Sequence, residues 1–176
     1  MKYATIKKHD IANGPGVRVS LFVSGCLHHC KGCFNEEAWD FNYGTDFTED
    51  TTKEIINSLK PDYIAGLSLL GGEPFEYVNQ QGLLPLLKKV KEIYPNKTIW
   101  AYSGFLYEEL LKMKYKETKE ILDLIDVLID GKFDIDLKDP LLYFRGSSNQ
   151  RIIDMNKTRK NKEIVLHEKN ARREIK

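Results

Sequence analysis

Short apolar runs alternate with amphipathic stretches along most of the chain. Runs rich in β-branched and apolar residues predict strands, and they cover residues 17–23, 64–70, 98–102 and 127–129. Apolar positions that recur at helical spacing predict helices, and they cover residues 51–59, 83–94, 106–113 and 121–125. Parallel neighbouring strands are usually joined through a helix. The alternation therefore predicts a parallel sheet with helical crossovers.

The predicted architecture is an α/β fold: an open, partial βα barrel built on that parallel sheet. A closed eightfold barrel takes roughly 200–250 residues, and this chain has 176. Residues 1–155 are predicted to form one domain. Residues 156–176 are dense in Lys, Arg and Glu, which predicts a charged C-terminal tail, either mobile or folded as a solvated helix.

Two local signals set expectations for where helices begin. The segment Thr51-Thr52-Lys53-Glu54 has the spacing of a capping box and predicts a helix start at that point. Pro85 lies within the next helical pattern. Because proline is tolerated only in the first turn of a helix, we expect that helix to begin shortly before Pro85.

The charge balance and the apolar content argue against several partners. Lys and Arg total 27 against 26 Asp and Glu, a net charge of +1, which gives no electrostatic attraction to nucleic acid or to an anionic membrane. No apolar run approaches the roughly 20 residues that span a bilayer. The N-terminal residues lack the hydrophobic stretch of a secretory signal. We therefore expect a cytoplasmic protein without nucleic-acid or membrane partners.

All three cysteines, Cys26, Cys30 and Cys33, lie in one C-x3-C-x2-C window directly after the first predicted strand. An odd number at this spacing is a poor disulfide framework, and a reducing compartment favours thiolate ligands. Three thiolates leave a metal site one ligand short, and an open position distinguishes catalytic from structural sites. Thiolates are the standard ligands of iron–sulfur clusters. The window therefore predicts a 4Fe–4S cluster with three protein ligands and one free iron.

Two other interpretations of the cysteine window stay open. A non-catalytic interaction module could hold a structural zinc ion with His28 or His29, since Cys3His is a known zinc set. Both histidines lie between the first two cysteines, where the backbone makes convergence with both neighbours awkward. Inert core cysteines are the second alternative, although a loop beside Gly25, Lys31 and Gly32 is an unusual place for them.

A second motif, G-G-E-P at residues 71–74, follows a predicted strand. Two glycines admit close backbone approach, and their carbonyls and the Glu73 carboxylate can accept hydrogen bonds from an ammonium group. Together with the cysteine window, this motif resembles the radical S-adenosylmethionine superfamily, so residues 1–155 would be a domain of that type. The resemblance implies that S-adenosylmethionine chelates the free iron and that Gly71, Gly72 and Glu73 hold its ammonium group.

The flanking segments narrow the resemblance. Residues 13–18 read N-G-P-G-V-R, which is similar to an element of the glycyl-radical-enzyme activases. Residues 25–39 and the R-G-S-S-N-Q-R stretch at 145–151 resemble the family that activates anaerobic ribonucleoside-triphosphate reductase. Many radical enzymes carry an aromatic residue before the third cysteine, and Gly32 stands there instead, a departure that this family shares. The match runs from about residue 8 to residue 151.

The ends of two further strands complete the predicted cofactor contacts. Ser103 and Asp130 lie at strand C-termini, where parallel α/β folds build their sites, and the family places polar groups there near the nucleoside or methionine. Ordinary strand-end turns are the alternative interpretation. The predicted cofactor-binding residues are Gly32, Cys33, Phe34, Gly71, Gly72, Glu73, Ser103 and Asp130, and the predicted metal ligands are Cys26, Cys30 and Cys33.

Other polar residues carry weaker signals. Arg145 and Arg151 belong either to a solvated loop or to a site that grips a carboxylate or a partner. The four histidines are expected to serve surface or packing roles: His9, His28, His29 and His167.

The resemblance also implies a reaction and its partners. A flavodoxin-like donor supplies one electron, and S-adenosylmethionine is cleaved to methionine and a 5′-deoxyadenosyl radical. The radical takes a hydrogen atom from a glycine of the large reductase subunit, whose loop would enter through the open flank of the barrel. A small-molecule radical enzyme similar to the deazaguanine synthases is the alternative within the superfamily.

Overall fold

Seven strands form one mixed sheet in the computed structural model, which describes residues 1–173 of the chain. The strands are β1 (Lys2–Asp10), β2 (Val17–Val23), β3 (Thr45–Asp46), β4 (Ile64–Gly71), β5 (Thr98–Tyr102), β6 (Val127–Asp130) and β7 (Arg151–Asp154). Their order across the sheet is β3-β1-β2-β4-β5-β6-β7. The middle strands β2, β4, β5 and β6 run parallel, whereas the outer strands pair antiparallel with their neighbours. The sheet is therefore open.

Within the same residues, five α-helices connect and cover the strands. They are α1 (Glu49–Leu59), α2 (Tyr77–Ile93), α3 (Tyr107–Leu110), α4 (Lys116–Leu124) and α5 (Met155–Asn161). Two 3-10 helices span Glu36–Trp39 and Ile135–Leu137. None of the helices in the described part of the chain combines the length and the apolar character needed to cross a membrane.

The helices pack on one face of the sheet. Alternate residues of a strand point to opposite faces, and Val19, Leu21 and Leu69 point to the helical side. They belong to a buried core that includes Ile55 of α1 and Leu87 of α2. Burial of such side chains stabilises the fold by roughly 1.5–3 kcal/mol for each one.

Loops rather than helices lie against the other face. There Trp100 of β5 packs with Ile129 of β6 and Ile152 of β7, and Tyr143 and Phe144 of a loop pack against this cluster. Because no second helical layer fills this side, the ends of the parallel strands border an open cavity.

The predicted α/β class is confirmed, and the predicted parallel sheet is confirmed only for its middle four strands. The sequence pattern did not predict β1 or β7. Charged residues mask the strand pattern of β1, and β7 is only four residues long. The linker between β1 and β2, residues 11–16, is too short for the crossover that parallel strands require, so the two strands pair antiparallel.

Helix α1 begins earlier than the capping-box prediction placed it. Thr48 is the N-cap: its Oγ1 accepts a hydrogen bond from the amide of Thr51, and the Thr51 hydroxyl accepts one from the amide of Thr48 at 3.1 Å. Thr51 is thus the N3 residue of a capping box that starts at Thr48. The predicted start at Thr51 is wrong by about one turn.

The expectation for Pro85 is also wrong. Helix α2 begins at Tyr77, so Pro85 lies in its interior, where it cannot donate a hydrogen bond to the Gln81 carbonyl. The helix tolerates this loss because its flanking residues are buried in the core, including Leu84 and Leu86. The helix predicted over residues 106–113 is likewise shorter, a single turn at α3.

The predicted C-terminal tail begins as helix α5 and continues as an extended segment, residues 162–173, which we call the C-terminal strap. The strap is bound to the sheet: the Asp154 amide donates to Val165 O at 2.9 Å and the His167 amide donates to Ile152 O at 2.8 Å. Farther along, the Arg173 amide donates to Leu141 O at 2.7 Å. Residues 174–176 of the predicted tail lie outside the described residues.

Candidate functional site

A cavity of about 750 Å³ lies at the C-terminal ends of the parallel strands. Small-molecule sites usually measure roughly 300–1,000 Å³, and ligands of open α/β sheets bind outside these strand ends. The cysteine loop after β2, the G-G-E-P motif after β4 and the turn after β5 all reach this cavity. The fold therefore brings together motifs that are widely separated in the sequence.

The cysteine loop turns through left-handed backbone positions and is anchored at its base. Gly25 and Gly32 have φ angles of +96° and +72°, and His29 has a φ of +49°, values at which glycine is favoured. The Gly25 amide donates to Ala38 O at 2.8 Å. The thiols of Cys26, Cys30 and Cys33 are all free, and all three residues line the cavity.

Burial makes the thiolate forms of Cys26 and Cys30 costly without a metal. Burial raises the pKa of the Cys26 thiol to about 12 and also raises the pKa of Cys30. A bound cation offsets such a cost because it stabilises the thiolate directly. The donor set, three thiols grouped on one cavity wall, fits an iron–sulfur cluster.

The two histidines of the loop are engaged elsewhere. His28 Nε2 lies 2.7 Å from Glu73 Oε2, and the His29 ring stacks on Trp39 with centroids 4.6 Å apart. Within residues 1–173, no three His, Cys, Asp or Glu side chains are grouped so as to hold a metal ion. Ligands of a cubane cluster bind different irons and therefore stand farther apart than ligands that share one ion.

The glycines of the G-G-E-P motif allow β4 to approach the cysteine loop. A Cβ atom on Gly71 would lie 2.7 Å from Val23 N, and one on Gly72 would lie 2.6 Å from Gly25 O. Backbone hydrogen bonds join the two segments: the Gly72 amide donates to Val23 O at 2.7 Å and the Glu73 amide donates to Gly25 O at 2.8 Å. The two sequence motifs thus form one structural unit.

Glu73 is a buried carboxylate held by four donors. Its side chain is 1% exposed. Oε2 accepts from His28 Nε2 and from the Gly104 amide, both at 2.7 Å. Oε1 accepts from the Phe75 amide at 2.9 Å and from the Ser103 hydroxyl at 3.0 Å. The carboxylate is therefore fixed in the cavity wall beside the cysteine loop.

Sequence reasoning missed the roles of His28 and Gly104. His28 packs edge-on against Phe105, with centroids 4.4 Å apart, and a Cβ on Gly104 would lie 2.3 Å from the His28 ring. The only sequence signal for His28 was its position between two cysteines, and that signal had suggested zinc. Its contact with Glu73, 45 residues away, depends on the tertiary fold.

Most of the predicted site residues line the cavity, and two do not. Those that do are Cys26, Cys30, Cys33, Phe34, Gly71, Gly72, Glu73 and Ser103. Gly32 and Asp130 do not line it. A Cβ on Gly32 would lie 2.9 Å from Ile135 Cδ1, so both its φ angle and its packing favour glycine at this position.

Asp130 is buried in an ion-pair network behind the cavity. It accepts from the Tyr107 amide at 2.8 Å and from Arg151 Nε at 3.0 Å. Arg151 also forms a two-point pair with Glu108, at 3.0 and 2.7 Å. Asp130 and Arg151 thus link β6, β7 and α3, and neither residue lines the cavity. Arg145, by contrast, does line it.

The N-G-P-G-V-R segment supports the cavity through Arg18. This fully buried guanidinium donates to the Ser68 hydroxyl at 2.8 Å and to the carbonyls of Leu67 and Thr98 at 2.9 Å. Ser68 in turn donates to Asn13 O at 2.6 Å, and Asn13 lines the cavity. Burial lowers the pKa of Arg18 to about 10.

Comparison with known proteins first defines the class. A family model described as a 4Fe-4S single cluster domain matches residues 12–153. This range includes the cysteine loop, the G-G-E-P motif and every strand except β1, apart from the last residue of β7.

Individual relatives then define the family. Anaerobic ribonucleoside-triphosphate reductase-activating proteins match this chain in bacteria and in a phage. The Escherichia coli K12 protein is 44% identical over 152 residues, 85% of this chain and 96% of the relative. The Haemophilus influenzae protein is 44% identical over 86% of this chain and 97% of the relative. The Enterobacteria phage T4 protein is 41% identical over 86% and 93%. The chain belongs to the family of anaerobic ribonucleoside-triphosphate reductase-activating proteins, and the family predicted from the sequence is confirmed.

Proposed function

We propose that this chain is a radical S-adenosylmethionine oxidoreductase that activates anaerobic ribonucleoside-triphosphate reductase by generating a glycyl radical on its large subunit. One observation carries the proposal: the C-x3-C-x2-C loop and the G-G-E-P motif are joined by backbone hydrogen bonds at one wall of a single cavity. The names of the relatives at 41–44% identity support the partner. The open mixed sheet, with helices on one face, supports a partial barrel of the radical S-adenosylmethionine type.

The chain's own residues would bind and orient the cofactors. Cys26, Cys30 and Cys33 would hold three irons of a 4Fe–4S cluster. Glu73, with the neighbouring carbonyls of Gly71 and Gly72, would accept hydrogen bonds from the ammonium group of S-adenosylmethionine. When both are bound, one-electron reduction cleaves S-adenosylmethionine to methionine and a 5′-deoxyadenosyl radical that takes a hydrogen atom from a glycine.

Aromatic side chains would keep water out of the cavity. The walls include Phe22, Tyr102, Phe133 and Phe144. Exclusion of water from a site prevents side reactions of reactive intermediates. The position of Tyr102 is fixed, because its hydroxyl donates to Phe144 O at 2.7 Å. The polypeptide thus supplies chelation, orientation and a dry environment.

The electron donor would approach the exposed side of the cysteine loop. Leu27 and Phe34 are each 69% exposed, and Cys30 and Cys33 lie half-buried between them along the chain. A flavodoxin-like donor that covers this apolar surface would come close to the cluster. Such a donor and free thiols both suit the reducing cytoplasm.

Anaerobic reconstitution with iron and sulfide tests the proposal. The expected product is brown, holds about four irons and four sulfides, and cleaves S-adenosylmethionine on reduction. Mixing it with the large reductase subunit should give the electron paramagnetic resonance signal of a glycyl radical. A colourless protein with stoichiometric zinc would contradict the proposal, and cleavage without a radical on the reductase would favour a small-molecule radical enzyme.

A further inference from the structure

Cations without ion-pair partners line the cavity. Lys7, Lys138, Arg145 and Arg173 all contribute to its wall, and within residues 1–173 none of the four forms a salt bridge. Lys7, Lys138 and Arg173 are exposed, whereas Arg145 is half-buried. The wall is therefore positively charged at its rim and at one point deeper inside.

The two carboxylates on the cavity wall, Glu73 and Asp139, offset these cations only in part: Asp139 attracts the Arg145 charge through space but forms no salt bridge with it. Asp139 is paired with Arg172, whose Nε donates to Oδ2 at 2.8 Å. Glu73 already accepts hydrogen bonds from four donors, one of which is His28. Three thiolates with an oxidised cluster sum to a charge of about −1, and S-adenosylmethionine offsets this because its sulfonium and ammonium outnumber its carboxylate. Loading the site would therefore add no net negative charge, so among residues 1–173 the attraction of Asp139 remains the main offset to Arg145.

Some hydrogen-bond donors of the Arg145 guanidinium have no acceptor within the described residues. Its Nε is buried and has no hydrogen-bond partner within the described chain, and Nη1 makes one long bond of 3.3 Å to Lys169 O. Unsatisfied buried donors are rare and costly. A guanidinium presents its donors in a rigid fork that matches an oxyanion at two points.

The loop that carries Arg145 is held in place. The Gly146 and Ser147 amides donate to Gln150 Oε1 at 2.9 and 3.1 Å, and Gln150 Nε2 donates to Gly131 O at 3.0 Å. Phe133 packs against both Gly146 and Phe34, which joins this loop to the cysteine loop. Preorganised donors of this kind lose little entropy when they bind a ligand.

We propose that Arg145, with Lys138 and Arg173 at the rim, binds a carboxylate on the glycine-bearing segment of the reductase. This inference rests on the proposed function, which requires a polypeptide segment to enter the cavity and present a glycine. A carboxylate near that glycine, from an acidic side chain or from a chain terminus, would pair with Arg145. The pair would hold the segment at a fixed depth beside the radical source.

The affinity of the cluster-loaded full chain for the large reductase subunit tests this inference. We expect Arg145→Gln to weaken it about tenfold, the size of one charge-assisted hydrogen bond, and Arg145→Lys to be intermediate because one charge remains. The control is Lys160→Gln, which removes an exposed charge on α5 and should change affinity by less than about twofold. Unchanged affinity in Arg145→Gln would overturn the inference.

A second experiment does not depend on the folding of any variant. The probe is a synthetic peptide with the sequence around the reductase glycine, made once with its carboxylates and once with each converted to an amide. The unaltered, loaded protein should bind the carboxylate peptide about tenfold more tightly, and equal binding of both peptides would overturn the inference.

Two further outcomes separate this inference from the proposed function. If Arg145→Gln weakens S-adenosylmethionine binding and leaves reductase affinity unchanged, the site serves the cofactor and the inference fails alone. If the unaltered loaded protein does not cleave S-adenosylmethionine, the proposed function fails and the inference falls with it.

Discussion

At the scale of single residues, the proposed cluster depends on the three thiols of the cysteine loop. Cys30 follows His28 and His29 in the loop and lines the cavity half-buried. We expect Cys30→Ala to lower S-adenosylmethionine cleavage more than about a hundredfold, because loss of even a supporting group around a metal costs roughly 10–100-fold. Cleavage and bound iron are measured together, with Lys31→Ala, an exposed change in the same loop, as the control. Full cleavage by Cys30→Ala would remove this residue from the ligand set.

Glu73 offers a second residue-level prediction. In Glu73→Gln an NH2 group would replace one oxygen. It would then face either the two donors of Oε2, the Gly104 amide and His28, or the two donors of Oε1, the Phe75 amide and the Ser103 hydroxyl. Leaving a buried donor unsatisfied costs about 1–3 kcal/mol, and S-adenosylmethionine binding should weaken as well. Denaturant unfolding and equilibrium binding measure the two effects. Glu92→Gln, which changes an exposed residue of α2, should alter neither, and a Glu73→Gln variant equal to this control would contradict the account.

At the scale of elements, the close approach of β4 to the cysteine loop is the feature that unites the site. Gly72→Ala would place a Cβ 2.6 Å from Gly25 O, where two backbone segments would have to separate. We expect a loss of about 1–3 kcal/mol in the free energy of unfolding, the usual cost of overpacking, together with weaker cluster retention.

Gly82 in helix α2 provides the matched control. A Cβ there would lie 2.6 Å from Met1 Sδ, the end of a flexible side chain that can move. Alanine is also favoured over glycine inside a helix by about 1 kcal/mol. Gly82→Ala should therefore be neutral or stabilising in denaturant unfolding, and a loss equal to that of Gly72→Ala would contradict the assignment of the close approach.

The C-terminal strap carries an element-level prediction of its own. Asp139 holds it: Oδ1 accepts from the Leu141 amide at 2.9 Å and Oδ2 from Arg172 at 2.8 Å. In Asp139→Asn, hydrogen exchange at the Arg173 amide should accelerate by roughly two- to fivefold, since exposed ion pairs contribute little. Asp62→Asn, exposed and distant in sequence, should leave this amide unchanged. Equal exchange in both variants would show that Asp139 does not hold the strap.

The same pair predicts the direction of a pH effect. The Leu141 amide and Arg172 hold the pKa of Asp139 below its ordinary value. A group whose pKa is lowered by folding contributes stability above its unfolded pKa and loses it as the pH falls through the lowered value. Strap protection, corrected for intrinsic exchange rates, should therefore decrease on acidification, and an increase would contradict the pairing.

At the scale of the whole molecule, the two site motifs and their convergence followed from the sequence. Parallel strands place their C-terminal ends at one edge of a sheet, so the residues after β2 and β4 had to meet. The contact of His28 with Glu73 and the positive wall around Arg145 did not follow. The contact depends on the path of the cysteine loop, and the positive wall depends largely on loops 138–146 and 162–173. Tertiary contacts set the paths of these loops, and the hydrophobic period does not.

The sequence pattern did not predict the strand β1 for a related reason. β1 carries Lys7 and Lys8 on an edge region of the sheet, where one side of a strand meets water and the apolar pattern is weak. Asp130 shows the same limit at a single residue. Its place at a strand end suggested a cofactor contact, and only the fold revealed its pairing with Arg151.

The central claim is that this chain makes a glycyl radical on its partner, and one spectrum tests it most directly. Cluster-loaded protein, reductant, S-adenosylmethionine and the large reductase subunit are mixed without oxygen and frozen for electron paramagnetic resonance. The account predicts a glycyl radical signal that requires S-adenosylmethionine and disappears with Cys30→Ala. S-adenosylmethionine cleavage in the full mixture without any radical signal on the reductase would contradict it.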